Sequence, residues 1–122
     1  MGLDQWINVV TNDDDEIEYT YRKFNFLRLW LVNNNDYDDT ANLDVVDLPY
    51  ENLLKLRKDC KTVLDDHDKA DSILPTQDGF FFGSTDYDDW YFNDVKKLYT
   101  DLNEIVNNYG ENIAYITYEE WW

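Results

Sequence analysis

The residues of this chain best placed to do chemistry lie in one stretch, GFFFGSTDYDDWYFNDV, from Gly79 to Val95. A Gly-Ser-Thr turn ahead of a helix offers free backbone N–H groups to an anion, as phosphate-binding turns do. A P-loop adds Gly-rich spacing and a lysine, whereas here Asp86, Asp88 and Asp89 would repel the phosphate. Calcium would need oxygen ligands at alternate positions, a central glycine and a closing Glu. Counted from Asp36, Asp38 and Thr40 fall in step, but Ala41 stands at the glycine position and Asp47 at the last. His67, the single histidine, sits among Asp65, Asp66 and Asp68, and is expected at a solvated loop or helix end. Cys60 lies on the apolar side of a helical pattern, where a small buried hydrophobe is its simplest role. No nucleophile, base and orienting group converge in sequence. Paired carboxylates of the glycosidase kind are uninformative in a chain with 27 acids. The expectation is a protein that is not an enzyme and holds no cofactor or metal.

What remains is charge. The chain has 122 residues, 27 acids against 10 bases, and a formal net charge of −17. A compact chain of this length is about 35 Å across, and about 17 charges occupy roughly 29 Å of duplex DNA. The two charge densities are comparable. Every base lies between Arg22 and Lys97, so both ends are purely anionic, with Asp4, Asp13, Asp14, Asp15, Glu16 and Glu18 on one side and Asp101, Glu104, Glu111, Glu119 and Glu120 on the other. Direct binding of nucleic acid is disfavoured, and binding of a protein that itself grips nucleic acid through Lys and Arg is favoured. With 5 Trp, 10 Tyr and 6 Phe the chain is too aromatic to be an acidic disordered tail. One cysteine excludes an internal disulfide, and neither a leader pattern nor an apolar run of about 18 residues is present. A reducing cytoplasm is the expected compartment.

The elements that must position these residues are legible from periodicity. DQWINVV at 4–10 reads as a strand and Ile17 to Tyr21 as a second. From Arg22 to Val32, Phe24, Leu27 and Leu31 with Phe26 and Trp30 predict a broadly buried helix. Leu43 to Asp47 reads as a short strand. A second helix follows, with Asp47 as its cap and Pro49 in its first turn, carrying Leu53, Leu54, Cys60, Val63 and Leu64 on one face and Lys55, Arg57, Lys58 and Lys61 on the others. Asp65 to Leu74 reads as a polar connection. The three phenylalanines between Gly79 and Gly83 read as a short buried strand, and Ser84 or Thr85 as the cap of a third helix. That helix runs to Asn108, with Tyr91, Val95, Leu98, Leu102, Ile105 and Tyr109 in step and Gly110 as a left-handed stop. Ile113 to Tyr118 reads as a closing strand. The whole predicts a single α+β domain over residues 1–122, with about three helices on a small, mostly antiparallel sheet.

Three pieces of the chain resemble a family of small uncharacterised bacteriophage proteins: MGLD at Met1 to Asp4, the Arg22 to Val32 helix with Trp30, and LPTQDGFFFGSTDYDDWYFNDV from Leu74 to Val95. The last is the specific one. Gln5 and Trp6 depart from the Met-Tyr pair the family pattern has after MGLD, and Asn33 to Asp44 is unusually rich in Asp and Asn. The resemblance implies a phage origin and a similar α+β fold, and it carries over no catalytic residue.

Together, charge and resemblance lead to an expected function: an inhibitor of host defence of the anti-CRISPR or anti-restriction type, acting in the cytoplasm of the infected bacterium. Its partner would be a nucleic-acid-binding protein or nuclease complex, whose basic channel it occupies with carboxylates in place of phosphates. Expected contact residues are Asp13, Asp14, Asp15 and Glu16 in one loop and Asp36, Asp38 and Asp39 in another, with Tyr37, Trp121 and Trp122 as aromatic anchors. Trp121 and Trp122 would otherwise pack on the core or form a homodimer. The alternative is a phage structural or regulatory module binding a partner through an aromatic, apolar surface. Neither reading involves a membrane.

Overall fold

The computed structural model describes residues 2–35, 37, 45–79 and 81–122. Strand β1 (Asp4–Thr11) alternates strictly, burying Gln5, Ile7, Val9 and Thr11 and turning Asp4, Trp6, Asn8 and Val10 the other way. The chain reverses through Asn12 to Asp15. Thr11 organises this turn: its N–H donates to the Asp15 carbonyl at 2.9 Å, and its hydroxyl oxygen accepts from the N–H groups of Asp13 and Asp15 at 3.3 and 3.1 Å. Asp14 takes the left-handed conformation at φ 64°, which a short polar side chain tolerates. Strand β2 (Glu16–Arg22) then returns antiparallel to β1.

Helix α1 (Asn25–Asn35) begins three residues later than its periodicity predicts. Arg22 is still paired with Asp4 in the sheet, and Lys23, at φ 58°, makes the corner. Of the expected strand Leu43 to Asp47, strand β3 is Val46–Asp47, and residues 43 and 44 lie outside the described residues. Helix α2 (Tyr50–Asp65) is preceded by Pro49 in the cap position, with no side-chain cap, because Asp47 is held in β3. The expected polar connection contains a 3-10 turn at His67–Lys69 and a one-turn helix α3 (Ala70–Ile73). Helix α4 (Asp89–Tyr109) is capped by Asp88, whose carboxylate accepts from the Tyr91 N–H at 3.1 Å, rather than by Ser84 or Thr85. Gly110 is right-handed, at φ −38°, and opens a 3-10 turn into strand β4 (Ile113–Trp121), so the expected left-handed stop is corrected.

The four strands form one antiparallel sheet in the order β2-β1-β4-β3. The helices cover its inner face. Ile7, Val9, Tyr19, Tyr21, Ile116 and Tyr118 from the strands share one core with Phe26, Leu27 and Leu31 of α1, Leu53, Leu56, Cys60 and Val63 of α2, and Val95, Leu98, Leu102 and Ile105 of α4. The architecture is therefore a single small α+β domain, with four helices counting the one-turn α3.

Phe81 and Phe82 do not form the expected strand. Phe80 lies outside the described residues, Phe81 sits in a turn, and Phe82 is buried. A Cβ on Gly79 would lie 2.4 Å from the Phe82 ring, so this loop can close only on glycine, and Gly83 takes φ +87°. Asn25 holds the loop down. Its amide donates at 3.0 Å to the carbonyls of both Phe82 and Ser84, and its oxygen accepts from the Gln77 N–H at 3.1 Å.

Beneath the loop lies a buried ion pair. Arg28 Nε donates to Glu120 Oε2 at 2.8 Å, with both side chains 0% exposed. Tyr118 donates its hydroxyl proton to Glu120 Oε1 at 2.9 Å, and Trp122 its indole N–H to Glu120 Oε2 at 2.8 Å. Gln77 Oε1 accepts from Arg28 Nη1 at 3.2 Å, and the guanidinium lies 5.2 and 5.4 Å from the Phe82 and Trp122 rings. Gln5 completes the cluster, donating to the Tyr118 oxygen and the Phe24 carbonyl and accepting from the Phe24 N–H.

Removing one partner leaves the other charge buried, which costs about 3–5 kcal/mol. Glu120→Ala should lose stability of that size in urea denaturation, and a double Arg28→Met, Glu120→Leu variant should lose clearly less. The phenols of Tyr19, Tyr21, Tyr91 and Tyr118 are all pushed up, chiefly by burial, with Glu104 and Asp101 adding to the first two through the hydrogen bonds they accept. The folded state therefore keeps protons that the unfolded state releases above the ordinary phenol value of about 10. Stability should be complete below that pH and fall as pH rises beyond it, with the tyrosinate absorbance of these four buried phenols appearing together with loss of the circular dichroism signal.

Candidate functional site

The Arg28–Glu120 cluster carries the most concentrated chemistry in the chain, yet it is sealed, and every one of its named partners is a packing partner. The accessible chemistry lies on the opposite side of the sheet. Strand alternation places Asp4, Trp6, Asn8 and Val10 of β1, Glu16, Glu18, Thr20 and Arg22 of β2, and Tyr115, Thr117, Glu119 and Trp121 of β4 on the outer face. No described helix packs there. The register sets Arg22, Asp4 and Trp121 in one row, Thr20, Trp6 and Glu119 in the next, then Glu18, Asn8 and Thr117, and finally Glu16, Val10 and Tyr115. Neighbours within a row stand about 5 Å apart at Cβ, and successive rows about 6.7 Å apart.

This face is anionic and aromatic together. Trp121 is 67% exposed and Tyr115 54%. A depression of about 530 Å³ is lined by Asn8, Val10, Glu16, Glu18, Val45, Tyr115 and Thr117. The β1–β2 turn extends the charge beyond the sheet, since Asp13, Asp14 and Asp15 are exposed. One of them is anchored: Asp13 Oδ2 accepts from Asn112 Nδ2 at 2.8 Å. The cations lie mostly elsewhere, with Lys55, Arg57, Lys58 and Lys61 on α2 and Lys96 and Lys97 on α4. Arg57, Lys58 and Lys61 line a separate hollow of about 210 Å³ with Leu54 and Tyr99.

Of the residues singled out in the sequence, Asp13, Asp14, Asp15 and Glu16 gather at one end of this surface, whereas Trp121 lies at its other end, three rows from Glu16. Trp122 turns inward, edge-on to Phe82 at 5.2 Å, and is engaged with Glu120. Tyr37 is half-buried and donates to the Asp47 carbonyl, its phenol raised by burial and then by the Asp47 charge. Asp36, Asp38 and Asp39 lie outside the described residues. His67 is exposed and stacks on Phe92 with centroids 3.7 Å apart, and Cys60 is buried, its thiol pushed up by desolvation. Sequence reasoning missed Asp4, Trp6, Glu18, Tyr115 and Glu119 as members of one face. The period-two alternation of DQWINVV and YITYEEW was the available signal.

Among the described residues, no group of three or more His, Cys, Asp or Glu side chains is placed to hold a metal ion, and no helix is long and apolar enough to cross a membrane. No protein-family model, curated protein or solved structure matches the chain.

A protein carrying −17 repels itself, and salt relieves that repulsion. The melting temperature should rise between 10 mM and 0.5 M NaCl. Changing Asp13, Asp14 and Asp15 together to Asn should leave stability within about 1 kcal/mol, because each is exposed, and should flatten the salt dependence. Calorimetry at the two salt concentrations checks both outcomes.

Proposed function

We propose that the chain is a phage-encoded inhibitor of a host defence system, of the anti-CRISPR or anti-restriction type, that acts in the cytoplasm of the infected bacterium. It binds a nucleic-acid-binding protein or nuclease complex at its basic channel and presents Asp and Glu side chains where phosphates would lie. The observation that carries this reading is the outer sheet face. Asp4, Glu16, Glu18 and Glu119 share a surface on which no described helix packs, continuous with the Asp13 to Asp15 turn, and Arg22 is the one base among the described residues of that face. Such a local excess of carboxylates attracts a cationic partner, speeds encounter and excludes nucleic acid. The resemblance of the Leu74 to Val95 stretch to small phage proteins supports the origin. In this reading the protein acts by occupation, with no catalytic step of its own.

A second reading, a phage structural or regulatory module binding through apolar contacts, draws on the exposed tryptophans, Trp121 and above all Trp90 at 79%. Ionic strength separates the two. A pull-down of tagged protein from host lysate should retain a nucleic-acid-binding complex at low salt, release it at about 0.5 M, and fail to capture it after Asp13, Asp14 and Asp15 are changed to Asn. Capture that ignores both salt and those acids would overturn mimicry and favour the apolar module.

A further inference from the structure

Two tryptophans and two carboxylates form a checkerboard on the outer sheet face. Asp4 of β1 stands opposite Trp121 of β4, and Trp6 stands opposite Glu119. Asp4 and Trp6 are two residues apart on one strand, and Glu119 and Trp121 on the other, so each tryptophan has an acid opposite it, with Cβ atoms about 5 Å apart, and another two positions along its own strand, about 6.7 Å away at the backbone. All four point away from the core, since the residues between them, Gln5 and Glu120, are buried beneath; Trp121 is exposed, and Asp4, Trp6 and Glu119 are half-buried. Arg22 stands on the far side of Asp4 from Trp121, at the edge of the array.

The chemistry of such an array narrows its occupant. An apolar partner would strip water from Asp4 and Glu119 without compensation. A second copy of the same face would set carboxylate against carboxylate, and a nucleic acid would be repelled. A lysine would neutralise the charge, but its compact, strongly hydrated ammonium gains little from a planar indole. A guanidinium is planar and weakly hydrated, stacks on an aromatic face, and donates in a fork to a carboxylate at its edge.

We infer that the Trp6, Trp121, Asp4 and Glu119 array is a binding site for arginine side chains of a partner protein. The inference rests on the reading that the partner is a cationic protein, and it adds which cation is recognised and by what. The turn acids supply long-range attraction, indifferent to the kind of base, while the array reads arginine. An arginine-rich segment running along the strands would place one guanidinium at the array and its following bases towards Glu18 and then Glu16.

The test compares fluorescently labelled octa-arginine and octa-lysine peptides, equal in length and charge, by fluorescence anisotropy against the whole protein in 0.15 M NaCl. The arginine peptide should bind at least about tenfold more tightly, two aromatic faces and their carboxylates each contributing. The preference should shrink to under about threefold in Trp121→Ala and separately in Glu119→Gln, a near-isosteric change on an exposed face. It should persist in the Asp13, Asp14, Asp15 to Asn variant even as both affinities fall. Circular dichroism establishes that each variant is folded. Equal binding of the two peptides, or a preference that survives both array variants, overturns the inference. Capture of a nucleic-acid-binding complex from lysate without arginine preference would reject the array and leave the inhibitor reading standing. Arginine preference lost in the array variants, with no such complex captured, would reject the inhibitor reading and leave the array standing.

Discussion

The burial of Arg28 against Glu120 is the constraint around which one end of the molecule is organised. Two full charges withdrawn from water carry a desolvation penalty of several kcal/mol each, and their mutual attraction offsets it only when the remaining donors and acceptors are also satisfied. That requirement draws in β1, α1, the loop before α4 and the C-terminal strand. Glu120 comes from the last strand and accepts from Tyr118 and Trp122, while Arg28 comes from α1 and donates to Gln77 in the long loop. Gln5 on β1 ties Tyr118 to the corner before α1. The loop from Leu74 to Asp88 is thus the lid of an ionic core, and its unusual composition follows. Phe82 supplies an aromatic surface for the guanidinium, Gly79 leaves room for that ring, and Gly83 reverses the chain afterwards. The pair is weak evidence for stability as such. It ties four separate segments to a single arrangement.

The same pair explains why the sheet was easy to find in the sequence and its two faces were not. Strands β1, β2 and β4 were legible from period two, and α2 and α4 from their three- and four-residue spacing, because in those elements burial follows hydrophobicity. At the Arg28 end the rule is inverted. Gln5 and Glu120 point in, and Trp6 and Trp121 point out, so the apolar residues of DQWINVV mark both faces at once. Nothing in local periodicity reveals a buried carboxylate, whose place depends on an arginine 92 residues away. The three phenylalanines misled for a related reason. A short apolar run is ambiguous between strand and packed loop, and here tertiary contacts to Arg28, Asn25 and Trp122 decided for the loop. The turn acids, by contrast, were identifiable from composition alone, since three consecutive carboxylates between two strands, with Glu16 opening the second, have little choice but to face solvent.

Polarity and architecture together divide the protein into two unlike sides. Behind the sheet, the helices bury nearly all of the aliphatic residues and display most of the cations. In front of it, an antiparallel surface on which no described helix packs carries carboxylates between aromatic rings. Antiparallel sheets commonly leave one face to water, but an ordinary solvated face is polar throughout. Large rings spaced among acids, at sites where Thr or Ser would serve solubility as well, are costly to leave exposed and make a partner surface the economical explanation.

Strand β2 forms one margin of the sheet, and its outward side chains bear on how the protein behaves among its own copies. An unpaired strand margin is a template on which another chain can add hydrogen bonds, and natural proteins guard it with charge. Here the guards are Glu16 and Glu18, with Asp13 to Asp15 at the strand's beginning. Any copy that approached to extend the sheet would bring the same carboxylates against them. The carboxylates that would attract a cationic chain in the proposed reading therefore also set copy against copy at this strand margin, and sheet extension between copies is opposed by their repulsion.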